Sequence, residues 1–198
     1  MSKATIVTIT MLTYFSVTAQ TSDTWLTFLN SIKQDFYLKD SIAFSFPMPK
    51  QENEYPNYLK PVKAEYCDKL FTERDLSICN GGEKFCYSFK LSKSGFATLT
   101  FYSFGKYTPV LTLYNYSPTG ELLNRVEVKS SFFDAGQADT TAARLTSDTT
   151  FIVSRWDGWE ATENGKSVMV DSLTTTDYSI RPTGQIQKGK QHNSRRTR

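Results

Sequence analysis

The sequence lacks most of the chemistry on which hydrolases depend. Its 198 residues include one histidine, His192, which lies in a basic segment near residue 198. Without another histidine, the chain cannot assemble the Ser-His-Asp or Cys-His arrangements that activate a nucleophile through an imidazole. G-x-S-x-G, H-E-x-x-H and glycine-rich phosphate-binding motifs are absent from the sequence as well. These absences exclude the commonest hydrolase designs, and we expect no cofactor.

Long apolar runs are also scarce, and the one near Met1 is typical of a secretory signal. Lys3 supplies a positive charge, residues 4–17 are uncharged, and Val17-Thr18-Ala19 offers small residues at a cleavage site. A stretch of about 14 residues broken by threonines is too short and too polar for a membrane span, which needs roughly 20 apolar residues. We predict a signal peptide over residues 1–19, a periplasmic or secreted location, and no transmembrane segment in the mature chain.

Cysteine is limited to Cys67, Cys79 and Cys86. In an oxidising compartment two of the three tend to pair. The turn-forming residues Asn80-Gly81-Gly82 lie between the last two, so we favour a Cys79–Cys86 disulfide, while pairings through Cys67 stay open. The spacings lack the close ligand pairs of a structural zinc site, and we expect no metal.

The formal charge of +3 is unevenly distributed. The basic residues after Gln187 are not balanced by any acid: Lys188, Lys190, Arg195, Arg196 and Arg198. Residues 20–187 carry 17 basic residues against 20 acids, a net charge of −3. We therefore predict a single β-rich domain over residues 20–187 and a basic disordered tail over 188–198. An exported chain gives no reason to expect a nucleic-acid partner.

Hydrophobic periodicity predicts one helix followed by strands. Apolar residues recur at helical spacing after a possible cap at Ser22 or Asp23: Trp25, Leu26, Phe28, Leu29, Ile32 and Phe36. Prolines between Phe44 and Pro61 predict an extended connection. Alternation from Lys84 to Leu91 predicts a half-buried strand, and further candidates lie at 96–104, 109–116, 122–129, 149–155, 167–173, 178–180 and 185–187.

The fold class is therefore mainly β with α+β character. We expect one N-terminal amphipathic helix and an antiparallel β-meander of about six to eight strands, arranged as a sandwich or an open barrel. The apolar side chains that we expect to share one buried face are Phe85, Tyr87, Phe89, Leu99, Phe101, Leu111 and Leu113.

Two copies of Pro-Thr-Gly, at residues 118–120 and 182–184, each precede a strand. Proline and glycine suit hairpin turns, so turn geometry explains the repeat. Residues 87–186 resemble small exported bacterial proteins in which an aromatic strand, a turn ending in glycine and another strand recur. The resemblance implies no activity.

Trp156 and Trp159 are candidates for ligand contact because they flank the turn signal Asp157-Gly158. A second turn signal, Asn164-Gly165, follows so closely that the stretch is either one long loop or contains a short strand. A loop would present an aromatic tip to a sugar or a protein partner. The alternative is that both tryptophans pack across a hairpin.

A second aromatic row has the opposite parity from the expected core. It includes Tyr102, Tyr114 and Tyr116. Either the sheet closes over these side chains or they form a contact surface.

Together these features favour a non-catalytic exported protein that binds a protein or a glycan. The candidate contact residues are Trp156, Trp159, Tyr102, Tyr114 and Tyr116. The alternative is a carboxylate-dependent glycoside hydrolase on a β scaffold, for which Glu121, Glu127, Glu160 and Glu163 are available. No pair among them is singled out, so we assign no catalytic residue.

The signal peptide can be tested on protein isolated from its native source. We expect N-terminal sequencing to read from Gln20 or an immediate neighbour, because cleavage follows Ala19. Native protein that begins at Met1 would contradict export.

Overall fold

The computed structural model describes residues 23–44, 59–81, 84–104, 109–134 and 136–197. The predicted signal peptide and most of the proline-rich connection lie outside these ranges. Helix α1 covers residues 23–32 and continues into a 3-10 turn at Lys33–Asp35. Two short helices follow, α2 (Ala64–Leu70) and α3 (Glu73–Asn80). The first helix was predicted from its periodicity, whereas α2 and α3 were not.

Strands dominate the described part of the chain and belong to one open sheet. They are β1 (Leu38–Lys39), β2 (Lys60–Pro61), β3 (Lys84–Leu91), β4 (Ala97–Phe104), β5 (Pro109–Tyr116), β6 (Leu122–Asp134), β7 (Gln137–Leu145), β8 (Thr150–Glu163), β9 (Lys166–Ile180) and β10 (Ile186–Thr197). Strands β3 to β10 follow one another as an antiparallel meander, with β1 and β2 beside β3. The predicted mainly-β class is confirmed.

Two hydrophobic cores lie on opposite faces of β3, β4 and β5. The helix-side core joins apolar side chains of the three helices to this part of the sheet and includes Trp25, Leu29, Ile32, Leu70, Phe89, Leu99, Phe101, Tyr114 and Tyr116. The sheet-side core joins the other face to β8 and β9 and includes Phe85, Tyr87, Tyr102, Leu111, Leu113, Phe151, Val153 and Ile180. The sheet therefore curves back over itself.

A β-bulge in β3 divides the side chains that we expected on one face. The register with β4 shifts between Cys86 and Ser88. Because one extra residue reverses the alternation, Phe85 and Tyr87 enter the sheet-side core and Phe89 enters the helix-side core. The prediction of a single shared face is wrong for β3 for this reason. It is wrong for β4 and β5 because Leu99 pairs with Tyr114, so Leu111 and Leu113 face the other side.

A disulfide between Cys67 and Cys79 joins α2 to α3, with Cα atoms 5.9 Å apart. The predicted Cys79–Cys86 pairing is wrong. Helix α3 continues through Asn80, which keeps Cys79 in the last turn of the helix, beside Cys67 of α2. Cys86 instead lies in β3 as a buried free thiol, and burial raises its pKa to about 12.

The prediction of a disordered tail over 188–198 is wrong for the residues that the structure describes. Residues Ile186–Thr197 form β10, which pairs with β9. Every residue of β10 after Ile186 is exposed. A strand that is exposed on both faces has no alternation of apolar and polar residues. Its sequence therefore cannot be distinguished by composition from that of a solvated tail.

The tryptophan segment is neither the long loop nor the short strand between two turns that the sequence left open. Asp157 and Gly158 lie within β8, which runs without a break to the turn at Asn164 and Gly165. These two turn residues have φ values of 51° and 75°. Positive φ at both central positions is the requirement of a type I′ hairpin turn, so only the second turn signal operates.

The disulfide assignment predicts a measurable loss of stability on reduction. Closing a loop of this length stabilises a fold by about 3 kcal/mol, so reduction should lower the melting midpoint by several degrees. Cys86→Ala is the control, because it leaves the disulfide intact and should keep the sensitivity to reductant. Peptide mapping without reductant should join Cys67 to Cys79, and a Cys79–Cys86 peptide would contradict the structure.

Candidate functional site

Strand β6 changes partners along its length and so opens a groove in the curved sheet. Its first part pairs with β5 and its last part pairs with β7. The first part of β6 does not pair with β7, and the start of β10 lies beside it instead. There the Ile186 N–H donates a hydrogen bond to Asn124 Oδ1 at 2.7 Å. The Asn115 side-chain amide also donates to the Gly184 carbonyl at 2.6 Å. These bonds hold the β9–β10 turn against β5 and β6.

The groove beside these bonds has a volume of about 550 Å³ and is lined by residues of β6 to β10. Most lining residues are polar: Asn124, Arg125, Glu127, Thr141, Arg155, Thr174, Thr176, Tyr178, Lys188 and Gln191. Val126, Val153 and Ile186 complete the lining. The groove thus offers positive charge, hydroxyl groups and amides to a polar ligand.

Arg125 is held in place by a buried ion cluster under the helices. Its Nη1 lies 2.6 Å from Asp75 Oδ2. The other carboxylate oxygen lies 3.9 Å from Lys84 Nζ, and this ammonium group also lies 3.3 Å from the Tyr114 hydroxyl. Lys84 is 3% exposed, and burial lowers its pKa although Asp75 opposes that shift. The cluster holds the Arg125 guanidinium on the helix side of the sheet, opposite the face that carries Val126 and Val153.

Arg155 is held by two carboxylates of the sheet itself. Asp139 and Asp157 stand directly opposite each other on β7 and β8, and both contact the Arg155 guanidinium. Burial and a hydrogen bond with Asp157 raise the pKa of Asp139, against the opposing effect of Arg155. Because both carboxylates are engaged, the arrangement orients Arg155 towards the groove.

Trp156 and Trp159 are half-buried and lie on opposite faces of β8. Trp159 shares the face of Arg155, and the Arg195 guanidinium lies 5.6 Å from its ring centroid. On the other face, Trp156 covers Gly158 so closely that an added Cβ would lie 2.7 Å from its ring. The two tryptophans therefore form no common tip, and their role in binding stays a prediction.

The second predicted aromatic row is buried, so its interpretation as a contact surface is wrong. Tyr102, Tyr114 and Tyr116 are 2%, 1% and 1% exposed. Tyr114 and Tyr116 lie in the helix-side core, and the Tyr116 hydroxyl donates to the Leu70 carbonyl. Tyr102 lies in the sheet-side core and lines a smaller cavity of about 240 Å³. The alternation of residues along a strand shows which side chains share a face, but it cannot show that both faces of the sheet are covered.

The polar groove was missed because its residues come from separate strands. One signal was present in β8, where Arg155 follows the apolar side chains of Phe151 and Val153 on the same face. A charge at an inward position marks a place where the core ends. Arg125, Lys188 and Gln191 carry no comparable signal.

Comparison with known proteins adds no identity. No protein family, no curated protein and no solved structure matches the chain. Within the described ranges, no helix is both long enough and apolar enough to cross a membrane. The site is therefore interpreted from its own geometry.

The raised pKa of Asp139 predicts a characteristic pH dependence. The folded protein holds this proton at pH values above the ordinary pKa of 3.8, so this residue's contribution to stability falls as pH rises through that window. Asp139→Asn, which resembles the protonated form, should therefore gain stability relative to the wild type as pH rises from about 3.5 to 6.

Chemical denaturation at several pH values measures this difference, and Asp134→Asn at the exposed end of β6 is the control. A variant that loses relative stability with rising pH would show that the attraction of Arg155 outweighs burial.

Proposed function

We propose that this protein is an exported, non-catalytic binding protein that takes a glycan in the groove between β6 and β8–β10. The observation that carries the proposal is the lining of the groove, where arginine, lysine, threonine and glutamine side chains surround about 550 Å³. A few precisely placed polar groups in a concave site are the usual basis of specific small-ligand recognition.

The lining suits the hydroxyl groups of a sugar. Each hydroxyl both donates and accepts, so a sugar needs both kinds of partner on the protein. Arg155 and Lys188 donate, while the Gln191 amide and the threonine hydroxyls both donate and accept. Tyr178 contributes a ring that stacks on Phe151 at 5.1 Å between centroids, which fixes the orientation of its hydroxyl group.

Rigid anchoring of Arg155 supports binding by a preformed site. Asp139 and Asp157 both hold its guanidinium. Little side-chain entropy is then lost when a ligand binds this group.

We propose binding without catalysis because a glycosidase needs a pair of carboxyl groups, one on each side of the scissile bond. Among the described residues that line the groove, Glu127 is the single carboxylate. Asp139 and Asp157 are both engaged by Arg155. The protein should therefore release a bound oligosaccharide unchanged.

A glycan array followed by calorimetry tests the proposal, with Trp159 fluorescence as a second readout. The double variant Thr174→Ala with Gln191→Ala removes two groove groups, each worth roughly 0.5 to 1.5 kcal/mol as a hydrogen bond. We expect the dissociation constant to rise about tenfold.

The matched control is Thr175→Ala with His192→Ala, since these neighbours lie on the opposite face of the same two strands. Equal affinity losses in both double variants would contradict the groove as the site. If no glycan binds, the proposed ligand class is wrong. Release of reducing sugar would contradict the non-catalytic role.

A further inference from the structure

Strand β10 presents a long uncovered edge in the described part of the chain. It runs from Ile186 to Thr197 and pairs with β9 on one side only. At the other end of the sheet, β1 and β2 both pair with β3. An uncovered edge offers a row of backbone N–H and C=O groups to which another strand can add.

The part of this edge nearest Thr197 is regular enough to accept a strand. An irregularity between Lys188 and Gln191 interrupts the register with β9. Beyond it, Gln191–Thr197 pairs continuously with Val170–Thr176. At about 3.4 Å per residue this segment is roughly 24 Å long, which is the length of an ordinary strand.

The charge of β10 decides which strand can add to it. Lys188, Lys190, Arg195 and Arg196 lie on β10, and residues 186–198 contain no acid. Pairing of two β10 edges from two copies would bring like charges together across the new ladder, which is destabilising. The same charges attract a strand that carries glutamate or aspartate.

Two arginines of this segment are already ordered by their neighbours. Arg195 lies over the ring of Trp159. Arg196 stands directly opposite Asp171 on β9. Strand alternation places their side chains on opposite faces of the sheet, so an added strand would meet a positive charge on each face.

We propose that Gln191–Thr197 of β10 binds an extended acidic peptide segment of a partner protein, which adds to the sheet as a further strand. Backbone hydrogen bonds hold the segment in place, and Arg195 and Arg196 select its acidic side chains. Gln191 also lines the groove, but Arg195 and Arg196 do not, so either site can exist without the other.

The test uses a synthetic nonapeptide that alternates glutamate with valine and threonine, titrated into the mature protein at low salt. We expect saturable binding to one site. The double variant Arg195→Glu with Arg196→Glu should weaken binding at least tenfold. Arg144→Glu with Lys166→Glu, an equal charge change at exposed positions elsewhere, should weaken it much less. An equal loss in both double variants, or no binding to the wild type, would overturn the proposal.

Backbone pairing is tested on the wild-type protein, which avoids any effect of the variants on folding. The same peptide with alternate backbone nitrogens methylated keeps its charge and loses hydrogen-bond donors, so it should not bind. Equal binding of the methylated peptide would reduce the interaction to charge attraction and overturn strand addition. Sedimentation that shows a dimer dissociated by Arg195→Glu with Arg196→Glu would make the occupant a second copy and would also overturn the proposal.

Discussion

Strands β3, β4 and β5 carry apolar side chains on both faces, and a layer of this kind needs cover on each side. Leu99 and Phe101 face the helices, whereas Leu111 and Leu113 face β8 and β9. Burying one such side chain stabilises the fold by about 1.5 to 3 kcal/mol relative to leaving it exposed. The helices cover only one face, so the meander must curve back to cover the other. The groove lies where that curvature separates β6 from β7.

The sequence predicted the parts of this arrangement that depend on local chemistry. The strand from Lys84 to Leu91 and the strand from Pro109 to Tyr116 have the boundaries expected from alternation and turn residues. The helix that contains Trp25 was clear for the same reason, since one apolar stripe faces a core. Helices α2 and α3 are short and joined by a disulfide, so their stability comes from tertiary contacts more than from periodicity.

The mistaken predictions share a physical origin in how exposure depends on distant strands. Alternation reports that side chains point in two directions, but it does not report what lies in each direction. Tyr114 looked exposed because its parity differs from that of Leu113, yet the helices cover it. Residues of β10 looked disordered because both of their faces meet solvent. The groove is harder still to predict, because Asn124, Arg155 and Lys188 come together only after the sheet has curved.

The helices and strands β3 and β6 are coupled through a single carboxylate. Asp75 lies on α3, whose last turn is tied to α2 by the disulfide at Cys79. From that position it contacts Arg125 of β6 and the buried Lys84 of β3. Loss of one partner from a buried ion pair leaves an uncompensated charge at a cost of about 3 to 5 kcal/mol. The helices therefore do more than cover the sheet, because α3 places Asp75 where it neutralises both Arg125 of β6 and the buried Lys84 of β3.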